Sequence, residues 1–182
     1  MPDATDHLAL ALSALLSLAA ASTGAIFRPD DWYRRLRKPS WTPPDAAFAV
    51  VWSVLYLAMA IAAWTVWRAG GAEAWPALAV YGLHLVLNAL WSWVFFGLKR
   101  IDLALGELVI FWLSIVVTIL LFWPFSRQAA LLLLPYLGWV TAAGVLNWRI
   151  LVLNGPRGVP AQSPTPVARG PAPWPGASRP AR

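Results

Sequence analysis

The sequence predicts an all-α integral membrane protein, a bundle of five transmembrane helices followed by a disordered tail. Of the 182 residues, 59% are hydrophobic and 12% are charged, about half the charged share of a soluble domain. Apolar runs of about 20 residues, the length that crosses roughly 30 Å of hydrocarbon, recur along the chain. These runs lack the alternating polarity of a membrane β-barrel, so each is predicted to satisfy its own backbone groups as a helix.

Five such runs follow one another. They cover residues 8–27, 46–67, 77–98, 102–123 and 128–152. The first is predicted to be a retained span, because the charges that precede it, Asp3 and Asp6, are acidic, whereas a signal peptide begins with cations. Residues 1–154 are therefore predicted to form the transmembrane domain. Residues 155–182, with eight prolines among Gly, Ala, Ser and Arg, are predicted to be a disordered cytoplasmic tail.

Lys and Arg are distributed unevenly between the two sides that five spans define. Twelve of the 14 fall on the side of the C-terminus, and Arg68 and Arg127 fall on the other. The positive-inside rule then predicts an N-terminus outside and a C-terminus in the cytoplasm. Helical spans indicate a bacterial cytoplasmic membrane, because outer-membrane proteins are typically barrels. Topology thus accounts for the net charge of +6, and no nucleic-acid partner is predicted.

The first loop, between spans one and two, is rich in aromatic, proline and cationic residues. Trp32, Tyr33 and Leu36 are spaced as in a short amphipathic helical turn. Thr42 is predicted to cap the second helix, with Pro43 at its first helical position. We expect the loop to fold over the mouth of the bundle.

The 13 tryptophans need two explanations. Those near span ends fit the aromatic belt at the membrane–water interface: Trp64, Trp67, Trp75, Trp123 and Trp148. Trp52, Trp91, Trp112 and Trp139 lie deeper, where an indole N–H needs a partner. Trp112 is interpreted as core packing. Trp52 and Trp139 are candidates for a lined pocket because each follows proline in its segment, and Pro135 is predicted to kink span five.

Span three carries a stripe of polar and aromatic residues that is predicted to face the bundle interior: Tyr81, His84, Asn88, Trp91 and Phe95. Asn88 and His84 either hydrogen-bond to neighbouring helices or face a ligand. Glu107, the one carboxylate well inside a span, either reaches the interface near Lys99 or Arg100 or has a function within the membrane.

Metal and conventional catalytic sites are not predicted. The chain has no cysteine, and its two histidines, His7 and His84, are far apart in the sequence, so no metal site is expected. A Gly-rich phosphate loop, a serine elbow and paired carboxylates are also missing from the sequence. We therefore predict no catalytic residue and no obligatory cofactor.

Three stretches of the sequence together resemble a known family. The run WYRRLRKPSWTPP, from Trp32 to Pro44 and followed by Trp52, resembles the signature first loop of the translocator protein / tryptophan-rich sensory protein (TspO/MBR, peripheral-type benzodiazepine receptor) family. Asn88-Ala89-Leu90-Trp91 with Phe95-Phe96, and Pro135-Tyr136-Leu137-Gly138-Trp139 continuing to Leu146-Asn147, are similar to the family's third and fifth helices. The resemblance covers about residues 8–153.

The resemblance implies a homodimer of five-helix subunits, each with a cavity closed by the first loop that binds porphyrins and other flat hydrophobic molecules. The cavity residues carried over by motif match are Trp32, Tyr33, Pro43, Trp52, Asn88, Trp91 and Trp139. The implied function is a membrane receptor or sensor that binds protoporphyrin IX or haem-type tetrapyrroles and regulates or transports tetrapyrrole intermediates. The loop cations are expected to contact the propionates: Arg34, Arg35, Arg37 and Lys38.

Two alternatives stay open beside this function. The cavity tryptophans could degrade the porphyrin oxidatively in light, which would make the protein an enzyme, or the cavity could carry another flat hydrophobic molecule such as a sterol. The sterol motif of animal members needs an apolar residue, then Tyr, then a cation. Leu146-Asn147-Trp148-Arg149 has Trp in the place of Tyr, and the complete pattern is itself a weak signal.

Overall fold

The computed structural model describes residues 4–158. This part of the chain consists of helices joined by loops and contains no β-strand. The helices are α1 (Ala4–Ile26), α2 (Asp31–Arg35), α3 (Asp45–Gly70), α4 (Trp75–Ser92), α5 (Ile101–Phe122), α6 (Arg127–Leu132) and α7 (Leu134–Asn154). A 3₁₀ turn, Gly71–Ala74, joins α3 to α4, and a π-helical segment, Trp93–Gly97, ends α4.

Four helical stretches among residues 4–158 are long and apolar enough to cross a membrane: Thr5–Ile26, Asp45–Gly97, Ile101–Phe122 and Arg127–Asn154. The second has 53 residues, more than twice the roughly 20 that one span needs. It contains two helices, α3 and α4, and the chain turns back between them at Gly71, whose φ is 51°, a conformation that glycine adopts without steric cost. The predicted bundle of five spans is confirmed.

The five spans form a closed ring. The first span, α1, packs against α3 and α4; α4 packs against α5, α5 against α7, and α6 against α3. The main core lies between these helices, with Met59, Val66, Ile115 and Tyr136 fully buried. Large apolar side chains also cover the outside of the bundle, for example Leu113 and Leu120 on α5, as expected where helices meet lipid.

Two features of the first loop can be compared with the sequence. The predicted helical turn is present as α2, where the Asp30 carboxylate accepts from the Tyr33 backbone N–H at 3.0 Å. The prediction that Thr42 caps the second helix is wrong. The Thr42 hydroxyl instead donates to the Pro39 carbonyl at 2.7 Å, and α3 begins at Asp45. The reason is Pro44, because a residue that precedes proline is excluded from helical geometry, and so Pro43 cannot start the helix.

At the kink expected near Pro135, the fifth span is interrupted at Leu133 alone, and the backbone of this residue stays in the right-handed helical region. Helix α6 ends at Leu132, and α7 begins at Leu134. Proline has no N–H to donate and its ring crowds the preceding turn. The helix therefore restarts around Leu133, whose backbone N–H bonds to the Ala130 carbonyl at 3.1 Å.

The end of α7 and the segment after it hold the first loop in place through hydrogen bonds. Asn154 bonds to Arg37 twice through its side-chain amide, accepting from the backbone N–H and donating to the carbonyl at 2.8 Å each. The Ile101 backbone N–H donates to the Pro156 carbonyl at 2.8 Å. Residues 155–158, predicted to belong to the tail, are thus packed against the bundle. The rest of the predicted tail lies outside the described residues.

Candidate functional site

A cavity of about 700 Å³ lies between the helices beneath the first loop. All five spans and the loop contribute to its wall, which is mainly aromatic and apolar. Charged, polar and aromatic residues of the wall include Arg28, Tyr33, Asp45, Phe48, Trp52, Tyr56, Asn88, Trp91, Phe95 and Trp139. A volume of this size is within the roughly 300–1,000 Å³ of pockets that hold drug-sized molecules.

Three aromatic pairs build opposite walls of the cavity. Trp52 stacks on Tyr56, one turn further along α3, with ring centroids 5.3 Å apart. Trp91, near the end of α4, stacks on Phe95 of the π-helical segment, with ring centroids 5.0 Å apart and an interplanar angle of 23°. Phe48 meets Trp139 edge-on at 5.4 Å, where α3 faces α7. All six residues line the cavity, and an aromatic lining is suited to a flat aromatic molecule.

A short chain of hydrogen bonds crosses the floor of the cavity. The Tyr56 hydroxyl donates to the Asn88 side-chain carbonyl at 2.7 Å, and the Asn88 amide donates to the Tyr136 hydroxyl at 3.2 Å. Asn88 therefore joins α3, α4 and α7 and also lines the cavity. The two roles left open by the sequence, helix–helix hydrogen bonding and a position at the cavity, occur in the same residue.

The indole N–H groups of Trp91 and Trp139 are buried and have no hydrogen-bond partner in the described part of the chain. The indoles of Trp32, Trp64 and Trp112 behave differently, since they donate to Arg157, Asp6 and Thr141 at 2.8–3.0 Å. A buried donor without an acceptor costs about 1–3 kcal/mol. Both residues line the cavity with other parts of their side chains, whereas the two N–H groups are buried in the wall and do not face its open space.

Five of the seven predicted cavity residues line the cavity, namely Tyr33, Trp52, Asn88, Trp91 and Trp139. The other two, Trp32 and Pro43, do not. Trp32 packs edge-on against Phe95 at 5.8 Å and lines a separate notch outside the bundle. The loop motif thus contains residues that face the cavity and residues that support it from behind.

The four loop cations are not on the cavity wall. Arg34 pairs with Asp31 at 2.6 Å, and this hydrogen bond lowers the pKa of Asp31. Lys38 donates to the Tyr33 carbonyl at 2.6 Å and lies 4.1 Å above the Tyr33 ring, where partial burial lowers its pKa. Arg35 and Arg37 are exposed.

Arg28 and Asp45 are the charged residues that line the cavity. Sequence reasoning did not assign Arg28 to the site, because a cation at the end of a span is explained by topology alone. Its position directly after span one, next to Pro29, is the one signal that could have suggested it.

Two polar residues within the spans have other surroundings. His84 is fully buried behind the cavity, with its ring 4.9 Å from Tyr81 and 5.6 Å from Tyr136. Glu107 keeps both carboxylate oxygens buried without a hydrogen-bond partner among residues 4–158. Of the two roles left open for Glu107, an ion pair with Lys99 or Arg100 is not present among the described residues, and those cations bond to Asp30 and Asp102 instead. Residues 4–158 hold no group of three or more side chains suited to a metal ion.

Fold and site together define a class: helical membrane proteins whose spans enclose an aromatic cavity beneath a structured first loop. The chain belongs to the TspO/MBR family, because the sequence model of that family matches residues 10–153. It is 44% identical over 140 residues to Protein CrtK of Rhodobacter capsulatus, covering 74% of this chain and 86% of that protein.

Two further relatives show the breadth of the family. The tryptophan-rich sensory protein of Cereibacter sphaeroides is 42% identical over 136 residues, which is 75% of this chain and 85% of that protein. The translocator protein of Homo sapiens is 36% identical over 120 residues, 64% of this chain and 71% of that protein. The resemblance identified from the first loop is confirmed.

Proposed function

We propose that this protein binds a porphyrin, of the protoporphyrin IX or haem type, in the cavity and acts as a membrane receptor or sensor that regulates or transports tetrapyrrole intermediates. The observation that carries the proposal is a cavity of about 700 Å³ whose wall includes the indole rings of Trp52, Trp91 and Trp139. Relatives are named for sensing and for translocation, and both names are compatible with a bound and exchangeable ligand.

A porphyrin matches the cavity in shape and in polarity. Its flat apolar ring system would lie against Trp52, Trp91 and Trp139, because offset stacking and edge contacts are favourable for aromatic surfaces. Its carboxylates would lie at the loop end, where Arg28 lines the cavity and a charge-assisted hydrogen bond to a guanidinium is strong. Arg28 replaces the loop cations 34, 35, 37 and 38 as our preferred propionate contact.

The proposed orientation has the first loop and the C-terminus in the bacterial cytoplasm. Among residues 4–158, nine Lys and Arg lie at the loop end of the bundle and two at the opposite end, and cytoplasmic loops carry the excess of cations. A reporter fused after Gly158 should therefore be active in the cytoplasm. Activity in the periplasm would reverse the orientation.

The main test is a titration with protoporphyrin IX. Saturable quenching of tryptophan fluorescence, with a shift of the porphyrin absorption band, is expected. Trp139→Ala should weaken binding by about 1–3 kcal/mol, because a buried aromatic contact is lost. Trp139→Phe keeps most of the ring contact, so a smaller loss than for Trp139→Ala is expected.

Trp112→Phe is the matched control for these variants. Its indole is bonded to Thr141 and does not line the cavity, so porphyrin affinity should be unchanged. Arg28→Gln should weaken binding in a way that added salt diminishes, because the lost interaction is between charges. Absence of saturable binding would overturn the proposal. Binding that is unaffected by alanine at both Trp91 and Trp139 would place the ligand elsewhere.

Light-dependent degradation of the porphyrin is a second candidate function. The observation that favours it is the presence of three oxidisable indoles and the Tyr56 phenol on the wall of one cavity. Dioxygen would be the oxidant. Illumination distinguishes the functions: a receptor returns the porphyrin unchanged, whereas an enzyme bleaches it faster than free porphyrin and loses that rate in Trp52→Phe or Trp139→Phe.

Two further expectations stay predictions. A homodimer would need close contact on an outer face, and Gly138 and Ala142 of α7 are exposed there. Cross-linking in the membrane tests for the homodimer.

A sterol is the alternative flat ligand. The stretch that resembles the sterol motif is divided between two faces of α7, since Leu146 and Asn147 are buried while Trp148 and Arg149 are exposed. Competition between a sterol and porphyrin would test for a shared cavity.

A further inference from the structure

A second concave site, a notch of about 430 Å³, lies on the outside of the bundle at the loop end. Its lining residues are Trp32 of the first loop, Leu98, Lys99, Arg100 and Leu103 around the turn from α4 to α5, and Arg157 after α7. None of these residues lines the porphyrin cavity. Three separate chain segments therefore converge on a site for which the proposed function has no use.

Backbone contacts hold the notch in shape. The Trp32 indole donates to the Arg157 carbonyl at 3.0 Å, and the Ile101 backbone N–H donates to the Pro156 carbonyl at 2.8 Å. Lys99 has a φ of 54°, which is uncommon for a residue with a side chain. These contacts involve the backbone of residues 156 and 157, so the side chain of Arg157 is not needed to build the site.

The notch has an uncompensated positive charge. Lys99 pairs with Asp30 at 2.8 Å, and Arg100 bonds both carboxylate oxygens of Asp102 at 2.6–2.8 Å. The exposed guanidinium of Arg157 has no ion pair with any residue from 4 to 158. The sequence has no Asp or Glu after Glu107, whereas residues 159–182 contain three Arg. An anionic partner is therefore favoured here.

The other side of the notch is apolar and lies at the membrane boundary. Leu98 and Leu103 are 45% and 49% exposed, and they lie just before and just after the start of α5 at Ile101. Cationic side chains beside an exposed apolar surface at this depth match an amphiphile with an anionic head and a hydrocarbon chain. A small soluble anion would have no use for the two leucines.

We propose that the notch binds an acidic phospholipid of the surrounding leaflet, with the head-group phosphate on Arg157 and Lys99 and an acyl chain along Leu98 and Leu103. The bound lipid would bridge the first loop, the start of α5 and the segment after α7. This inference does not depend on the porphyrin proposal, since the two sites share no residue.

The test compares lipids retained by the full-length protein. The protein is released from nanodiscs that contain equal amounts of phosphatidylcholine and phosphatidylglycerol. The lipids that stay bound are identified by native mass spectrometry. Phosphatidylglycerol should be enriched on the wild type. Arg157→Gln should lower the enrichment about fivefold, which corresponds to about 1 kcal/mol for one surface cation. Arg157→Lys should retain most of it, because a point charge still attracts phosphate.

Arg149→Gln is the matched control. Arg149 lies at the same end of the bundle and outside the notch, so its loss should leave the enrichment unchanged. An equal decrease in both Gln variants would show general charge attraction and would overturn the site, as would a wild type without enrichment. Inorganic phosphate that removes the lipid more effectively than chloride at equal ionic strength would assign the notch to a soluble anion instead.

Discussion

The two halves of the bundle are built from the same helices but pack differently. In the half away from the first loop, the spans close on one another, and Met59, Ala62, Val66, Ile115 and Phe122 have no exposed surface. In the half beneath the loop, the same spans surround a cavity of about 700 Å³. The first arrangement supplies stability, because interiors are close-packed. The second is where a ligand can be held.

Hydrogen bonding differs between particular residues of the two halves. In the packed half, Trp64 donates to the Asp6 carbonyl at 3.0 Å, and the Ser17 and Tyr81 hydroxyls are bonded at 3.1 Å. At the cavity, Trp91 and Trp139 keep buried N–H groups without partners in the described residues. Native proteins leave few such groups unsatisfied. Both residues line the cavity, but His84 and Glu107, which do not, also have buried polar atoms without a partner in the described residues. The unpaired indoles therefore support the site only together with the cavity itself.

The largest expected effect on stability comes from a substitution that creates a new cavity in the packed half. Ile115→Ala removes a fully buried side chain and should destabilise the protein by about 2–5 kcal/mol. Phe48→Ala, on the cavity wall, should cost less, because part of its surface already faces open space. Thermal denaturation in one detergent compares them. A larger loss from Phe48→Ala would contradict the division into a packed and an open half.

A second, smaller effect concerns the hydrogen-bonded chain through Asn88. Asn88→Ala leaves the hydroxyls of Tyr56 and Tyr136 without their partner and should cost about 1–3 kcal/mol. Adding Tyr136→Phe should recover part of that loss, since removing both partners of a buried hydrogen bond is less costly than removing one. Chemical denaturation of the single and double variants measures the difference. A double variant less stable than the single one would show that Tyr136 has another partner.

The third effect compares a paired with an unpaired indole. Trp112→Phe removes a bond of 2.8 Å to Thr141 and should cost about 0.5–1.5 kcal/mol in the protein without ligand. Trp91→Phe removes a donor that has no partner in the described residues, so the melting temperature without ligand should not fall by a comparable amount. If the two variants lose stability equally, the Trp91 N–H is satisfied in the free protein.

The smallest effect is a pH dependence at the loop. The hydrogen bond from Lys99 lowers the pKa of Asp30 below its usual value near 3.8. A carboxylate with a lowered pKa stabilises the fold above its unfolded pKa, and the contribution is lost as the pH falls through the folded value. For an exposed pair we expect at most about 1 kcal/mol. Asp30→Asn should therefore be less stable than wild type at pH 7 in thermal denaturation, and the difference should shrink as the pH falls below about 3.8.

Much of the site was readable from the sequence because its residues lie on regular elements. The stripe on span three follows helical periodicity, so burial of Tyr81, His84, Asn88 and Phe95 could be predicted from spacing. Arg28 could not, because its place at the cavity depends on where α1 ends relative to α3. Neither could the fastening of the loop by residues 154–158, since those hydrogen bonds join positions more than 100 residues apart.

The sequence by itself determined the helical class, the five spans, the irregularity of the fifth span near Pro135 and the short helix α2, because each depends on local composition and backbone chemistry. Only the tertiary structure decided which aromatic residues share the cavity. Trp32 and Tyr33 are adjacent in the chain, yet one lines the outer notch and the other the cavity. Neighbours on a helical turn point in different directions, and the helices packed around them determine what each side chain faces.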